Sequence, residues 1–368
     1  MGGFAGTVLL LCALSASEAA AADRAYGVAG SRAVETKVEP KSNARVVKPT
    51  ASGPYPLIVA SHGFSASGDN QIGWATHFAS WGFVVAVPSF ASPFSPNHQA
   101  NAKVIADLVK ELTGPAAATF SVAPGRYGLE GHSAGGLSTT LAAATLAPSA
   151  IVLFDPVDAN DAGKAAYANV CTRVLDIFAG PSSCNNNAGW RAFATTTKSE
   201  VVGLDVVGST HCDGENAPRS LCGGFCGGAA NATRQTSYAH YATAFFLAHL
   251  TGDAAAAALL TATPMADDDE IANVLRASAT CALPGPGGDA GAPPDKPAVD
   301  AGGAAPTPGT EPTPPASDDA GAGAGDVAAG DEGGSGCGCR ATGATSGSAL
   351  ALGIAGALGV LAARRRRR

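Results

Sequence analysis

The sequence predicts an α/β domain with a mostly parallel central sheet flanked by helices. Three observations lead there. Apolar, β-branched runs of four to seven residues recur through the body of the chain, with helical patterns between them. The runs lack the polar alternation of a half-exposed strand, which suggests burial on both faces under helices. The pattern stops abruptly: Leu283–Gly336 holds 14 Gly, 10 Pro, nine Asp or Glu and no aromatic in 54 residues. Such a segment cannot bury enough apolar surface to offset its chain entropy, so the folded body is bounded near residue 282.

In chain order the strands are expected at Leu57–Ala60 (LIVA), Phe83–Pro88 (FVVAVP), Tyr127–Glu130 (YGLE), Ala150–Phe154 (AIVLF), Arg173–Phe178 (RVLDIF) and Val201–Val207 (VVGLDVV). Helices are expected between and after them at Gln71–Trp81, His98–Leu112, Ala134–Ala147, Ala188–Thr196 and Gln235–Leu250. A helical pair, Ala254–Leu260 and Asp267–Ser278, is expected to close the domain. Between the sixth and seventh strands no insertion is long enough to fold as a large lid. The Gly-rich segment Asp213–Gln235 is either a gate or a disulfide loop, and Trp74 and Trp190 either line the site or belong to the core.

Four segments follow from this reading. Residues 1–22 read as a secretory signal peptide: an apolar run from Phe4 to Ala16, then Glu18 and four alanines before Asp23. Cys12 follows Leu11 where a lipidation signal needs a small residue, so it is not read as a lipidation site. Residues 23–282 form the α/β body, 283–336 the solvated spacer, and 337–368 a tail with Cys337-Gly-Cys339, a weakly apolar stretch from Ser348 to Ala363 and five arginines, Arg364–Arg368. That stretch is close to the ~20 residues a bilayer needs, and the arginine cluster would stay cytoplasmic. The tail resembles the myxobacterial C-terminal sorting signal. The resemblance implies processing near Cys337 or Cys339 by sorting machinery and display on the cell surface; the alternative is a plain membrane anchor. Either way the body is expected to be exported, touching a membrane only through that anchor.

Charge excludes one class of partner. The chain carries 23 Lys+Arg against 30 Asp+Glu, and without Arg364–Arg368 the basic count is 18. No basic face remains for nucleic acid. Six cysteines lie in the body, at Cys171, Cys184, Cys212, Cys222, Cys226 and Cys281. An even number in an exported chain points to disulfides, with 15 possible connectivities.

The chemistry centres on Gly131-His-Ser-Ala-Gly-Gly136, a G-x-S-x-G motif. Chance alone yields about 0.4 matches in a chain of this composition, but this one ends a strand and opens a helix, as a nucleophile elbow requires. Ser133 is the candidate nucleophile. A serine hydroxyl needs a base, and the base an orienting carboxylate. His211, His240 and His249 follow the motif; the last two fall inside a predicted helix, whereas His211 sits in a loop directly after the last strand. The loop after Arg173–Phe178 offers no carboxylate, but one strand earlier Asp155-Pro-Val-Asp158 offers two. Asp155 ends that strand; Asp158 is the alternative acid, and either one alternatively caps the next helix. The backbone amides of Phe64, in Ser61-His-Gly-Phe64, and of Ala134 are candidates for an oxyanion hole.

Ser61-His-Gly-Phe64, Gly131–Gly136, Asp155–Asp158 and Ser209-Thr-His-Cys-Asp213 resemble the α/β-hydrolase superfamily, most of all its chlorophyllase-like branch, with relatives among cutinase-like polyester hydrolases and dienelactone hydrolases. The resemblance covers most of residues 50–250. It implies the α/β-hydrolase fold and ester hydrolysis, with Ser133 as nucleophile, Asp155 as acid and His211 as base. It also implies a disulfide near the site, for which Cys184 and Cys212 are the candidates. The alternative use of His211, Cys212, Asp213, Cys222 and Cys226 as zinc ligands lacks a second ligand pair at metal spacing, so neither metal nor cofactor is expected. The expected substrate is a small-molecule or polymeric ester. An amidase, thioesterase or peptidase with the same triad, or a non-catalytic surface module on the same fold, are the rival readings.

Overall fold

The computed structural model describes residues 24–284. Its centre is a nine-stranded sheet: β1 (Val34–Val38), β2 (Arg45–Pro49), β3 (Tyr55–Ser61), β4 (Val84–Val87), β5 (Val122–His132), β6 (Ala150–Phe154), β7 (Arg173–Phe178), β8 (Glu200–Val206) and β9 (Ile271–Ala277). They lie in the order β1-β2-β4-β3-β5-β6-β7-β8-β9. The block from β4 to β8 is parallel, while β1, β2 and β9 run antiparallel at the two edges. The sheet is therefore mixed and mostly parallel, flanked by helices.

Each central strand feeds both faces. On β6, Ala150, Val152 and Phe154 pack into one apolar layer with Trp74, Phe78 and Phe246. Ile151 and Leu153 pack into the opposite layer with Ile105, Leu108 and Trp190. Helices Ile72–Ser80 and Ala232–Phe246 cover the first face, and His98–Thr113 and Ala134–Leu146 the second. Two of these helices start at asparagine caps: Asn97 accepts from the Ala100 amide and Asn231 from those of Thr233 and Arg234. Trp74 and Trp190 are both core residues, 1% and 2% exposed.

Two expectations need correction. Asp267–Ser278 is not a helix: Ile271–Ala277 pairs antiparallel with β8. Its adjacent Val274 and Leu275 serve opposite apolar layers, so what reads as helical spacing is an edge strand whose neighbours point to opposite faces. Ala188–Thr196 contains only a 3-10 turn, Gly189–Phe193. The sequence reading also missed two strands: β1 (VETKV) is a partly exposed edge strand without an apolar run, and β2 (RVVKP), though mostly buried, offers an apolar run of only two residues. Cys171 and Cys281 are bonded across 110 residues, tying the start of β7 to the chain beyond β9; closing a loop of that size is worth about 4–5 kcal/mol.

The signal peptide at 1–22, the tail at 337–368 and all but the first two residues of the spacer lie outside the described residues. Among the described residues no helix is long and apolar enough to cross a membrane.

One buried group is set against its own ionisation. Glu130 on β5 is fully buried, and neither carboxyl oxygen has a hydrogen-bond partner. Burial pushes its pKa well above the usual carboxylate range. The native chain keeps this proton and the unfolded chain releases it above about pH 4.3, so the contribution of Glu130 to stability falls as pH rises from there. Glu130→Gln keeps the shape without the titration. Its melting temperature relative to the unsubstituted chain is expected to rise between pH 5 and pH 8, by an amount equivalent to at most about 1.4 kcal/mol per pH unit. A difference that does not change with pH would refute a neutral Glu130.

Candidate active site

β5 ends at His132 and helix Ala134–Leu146 begins two residues later, so the whole change of direction falls on Ser133. Its backbone takes φ 56 and ψ −124, a left-handed geometry that non-glycine residues rarely adopt. Close packing on both sides makes the turn possible. A Cβ at Gly135 would lie 2.3 Å from the Ser61 carbonyl oxygen, and one at Gly131 2.5 Å from Thr139 Oγ1. The Ser133 amide donates to the Phe154 carbonyl at 3.1 Å, which fastens the turn to the end of β6.

There the three expected side chains meet. Ser133 Oγ lies 2.8 Å from His211 Nε2, and His211 Nδ1 lies 2.6 Å from Asp155 Oδ2. All three are buried, between 2% and 5% exposed. Asp155 ends β6 with φ 42, and its amide donates to the Ile177 carbonyl at 2.7 Å, turning the residue over the end of β7. The Ala179 amide donates to its Oδ1 at 3.1 Å, and Asn185 Nδ2 to its Oδ2 at 3.0 Å.

Asp158 does not join them. Its Oδ1 accepts from the amides of Ala159 and Gly163 at 2.7 and 2.6 Å, and its Oδ2 from that of Lys164 at 3.3 Å. It caps helix Ala162–Tyr167, so the alternative acid is corrected to a capping residue. His240 and His249 lie among aromatic rings, beside Tyr26 and Phe245 respectively.

Sequence reasoning passed over His132 as a variable position of the motif. Its buried ring donates from Nε2 to the His211 carbonyl at 2.8 Å, tying the end of β5 to the His211 loop. Burial first, then the neighbouring His211, pushes its pKa down to about 3, so it stays a neutral donor. Gly214 passes so close that a Cβ there would lie 2.3 Å from His132 Cδ2.

The loop after β3 closes on the same point. His62 Nδ1–H donates to the Gly63 carbonyl at 2.9 Å, and its Nε2 accepts from the Phe90 amide at 2.9 Å. That carbonyl shares one planar peptide unit with the Phe64 N–H, so His62 fixes the direction of the Phe64 amide. Gly63 itself rests against Ser133: a Cβ there would lie 3.0 Å from Ser133 Cβ. Ala134, the first residue of the elbow helix, carries an amide without an intrahelical acceptor at the positive end of the helix dipole. The Phe64 ring is half-exposed and meets Phe94 edge-on at 6.3 Å.

The cysteines pair as Cys171–Cys281, Cys184–Cys226 and Cys212–Cys222. The expected Cys184–Cys212 bridge is therefore corrected. Cys222 lies on the short helix Ser220–Phe225 and Cys226 caps its C-terminal end, with the Cys226 amide donating to the Cys222 carbonyl at 2.9 Å. The loops of Cys184 and Cys212 are each bonded to this segment rather than to one another. The sulfurs of Cys212, Cys222 and Cys226 lie within 4.8 Å of one another because they belong to these two adjacent disulfides, and a disulfide sulfur is not the thiolate that zinc requires. The Gly-rich segment is fastened at other points too. Buried Asp213 accepts from the amides of Thr210 and Asn231 and from Arg234 Nε, and Arg219, paired with buried Glu215, donates to Ser65 Oγ at 2.7 Å.

Residues 24–180 match the family model described as Chlorophyllase, a family of the α/β-hydrolase superfamily. The match spans Ser133 and Asp155 and ends before His211. No curated protein matches the chain.

The geometry separates the two aspartates. Asp158→Ala is expected to cost about 1 kcal/mol of stability in denaturant melts while leaving the labelling rate of Ser133 by a fluorophosphonate unchanged. Asp155→Ala is expected to abolish that labelling in protein that remains folded. The reverse pattern would move the acid to Asp158.

Proposed function

We propose that this chain, whose residues 24–180 match the chlorophyllase family model of the α/β-hydrolase superfamily, is an exported, surface-anchored serine hydrolase that cleaves neutral carboxylic esters through an acyl-enzyme. The family implies carboxylic ester hydrolysis in general. The serine mechanism rests on one observation above all: the unbroken hydrogen-bond path from Ser133 Oγ through His211 to Asp155.

Each group then has a role. Ser133 Oγ attacks the ester carbonyl carbon while its proton passes to His211 Nε2. Asp155 holds the imidazole by Nδ1–H and stabilises the imidazolium that forms. The Phe64 and Ala134 amides receive the charge on the carbonyl oxygen. When the tetrahedral adduct collapses, His211 returns the proton to the departing alkoxide, which leaves as the alcohol. A water molecule repeats the sequence on the acyl-enzyme, releasing the acid and restoring Ser133. No step calls for a cofactor.

Export is supported by the three disulfides of the body, which form and persist in oxidising compartments. Surface anchoring and processing at Cys337 or Cys339 rest on the sequence of the tail. Short acyl esters, lipids and polyesters all fall within the proposal, with turnover against acyl length as the discriminating quantity.

The test compares the chain with Ser133→Ala on p-nitrophenyl esters from acetate to palmitate. Turnover by the unsubstituted chain and a loss of more than about 10⁴-fold in the variant are expected. Folded protein that hydrolyses none of these esters, or a variant that keeps the activity, would refute the reading.

A further inference from the structure

Asn185, in the loop after β7, is buried and has both polar atoms of its side chain engaged. Its Nδ2 donates to Asp155 Oδ2 at 3.0 Å and to the Gly180 carbonyl at 2.9 Å; its Oδ1 accepts from the amides of Ser182 at 2.8 Å and Ala188 at 2.9 Å. The two amides on Oδ1 allow only one orientation of the side chain, because a flipped amide would set N–H against N–H and carbonyl against carboxylate. The oxygen that Asn185 reaches, Asp155 Oδ2, is the one that His211 Nδ1 also reaches. With Ala179 on the other oxygen, the carboxylate is held by donors from β7's loop on both sides, and its direction toward the imidazole follows.

That loop is in turn held covalently. Cys184, next to Asn185, is bonded to Cys226; Cys222, one turn away, is bonded to Cys212, next to His211. One short segment thus links the residue beside the acid's partner to the residue beside the base. We infer that Asn185 is the positioning residue for Asp155, and that the Cys184–Cys226 disulfide keeps it in place. This rests on the triad reading given above. Where the sequence offers no carboxylate after β7, it supplies an amide that holds the carboxylate of β6.

The experiment uses the full chain with Asn185→Ala, Asn185→Asp and the double variant Cys184→Ala/Cys226→Ala, which leaves the other two disulfides intact and creates no free thiol in the body. Three quantities are read: kcat and KM on p-nitrophenyl acetate, the pH profile of kcat/KM, and, without substrate, the far-downfield proton resonance of an imidazole N–H bonded to a carboxylate. Asn185→Ala is expected to lower kcat about 10- to 100-fold with KM nearly unchanged. Asn185→Asp adds a carboxylate beside the pair, which favours imidazolium, so the acid limb of the profile is expected to move to higher pH. Both variants are expected to shift or lose the downfield resonance, and the double cysteine variant to move all three readouts in the direction of Asn185→Ala by less. An Asn185→Asp chain with unsubstituted kcat, pH profile and resonance would overturn the role of Asn185, whether or not Asn185→Ala folds. A double cysteine variant with unchanged readouts would overturn the role of the disulfide. If the unsubstituted chain hydrolyses no ester, the proposed function fails, and the resonance alone still decides whether Asn185 orients the pair.

Discussion

The left-handed turn at Ser133 is the constraint on which the rest of the site depends. A residue held there costs about 1–3 kcal/mol unless its surroundings leave it no alternative. They do so from four directions. The Phe154 carbonyl takes the Ser133 amide; the Ser61 carbonyl allows no side chain at Gly135; Gly63 lies against the serine Cβ; and His132 reaches the base loop from the other side. Ser133, the loop after β3 and the ends of β5 and β6 are therefore set by one packing solution. This is why the bulk of the sheet reads as scaffold and the chemistry collects along its carboxyl edge.

His211 and Asp155 are held differently, by loops rather than by close-packed backbone. His211 lies in a 3-10 turn whose Asp213 is buried and satisfied by the Thr210 and Asn231 amides and by Arg234. Asp155 depends on the loop after β7. Loops hold geometry poorly unless they are fastened, and here fastening comes from two disulfides that converge on Ser220–Phe225. The same segment reaches the oxyanion loop through Arg219 and Ser65. A stretch that looks in sequence like either a gate or a disulfide loop is thus, in the fold, a tie between three parts of the site.

Much of this was legible in the sequence. The parallel strands announce themselves because both faces are buried, so β6 reads AIVLF without alternation. Ser133, Asp155 and His211, whose side chains meet in the fold, could be named as candidates because chain order and strand ends restrict the choices. What escaped has a common physical cause. β9 and β1 are edge strands whose pairing partner, not their own composition, decides their state. The choice between Asp155 and Asp158, two residues of one type three positions apart, turns on which one meets a histidine and which one meets helix amides. Disulfide pairing depends on how the segment between Cys212 and Cys226 folds back, and nothing in the spacing of six cysteines encodes that. Asn185 belongs to no motif and His132 fills only a variable position of one: their roles exist only in the contacts they make.

The central claim is that Ser133 is a nucleophile activated by His211, and covalent trapping tests it most directly. The full chain would be treated with diethyl p-nitrophenyl phosphate, and the released p-nitrophenol and the peptide map read together. The account predicts one p-nitrophenol and one diethylphosphoryl group per chain, carried on Ser133. A folded chain that stays unmodified, or one that carries the group on another residue, would contradict it.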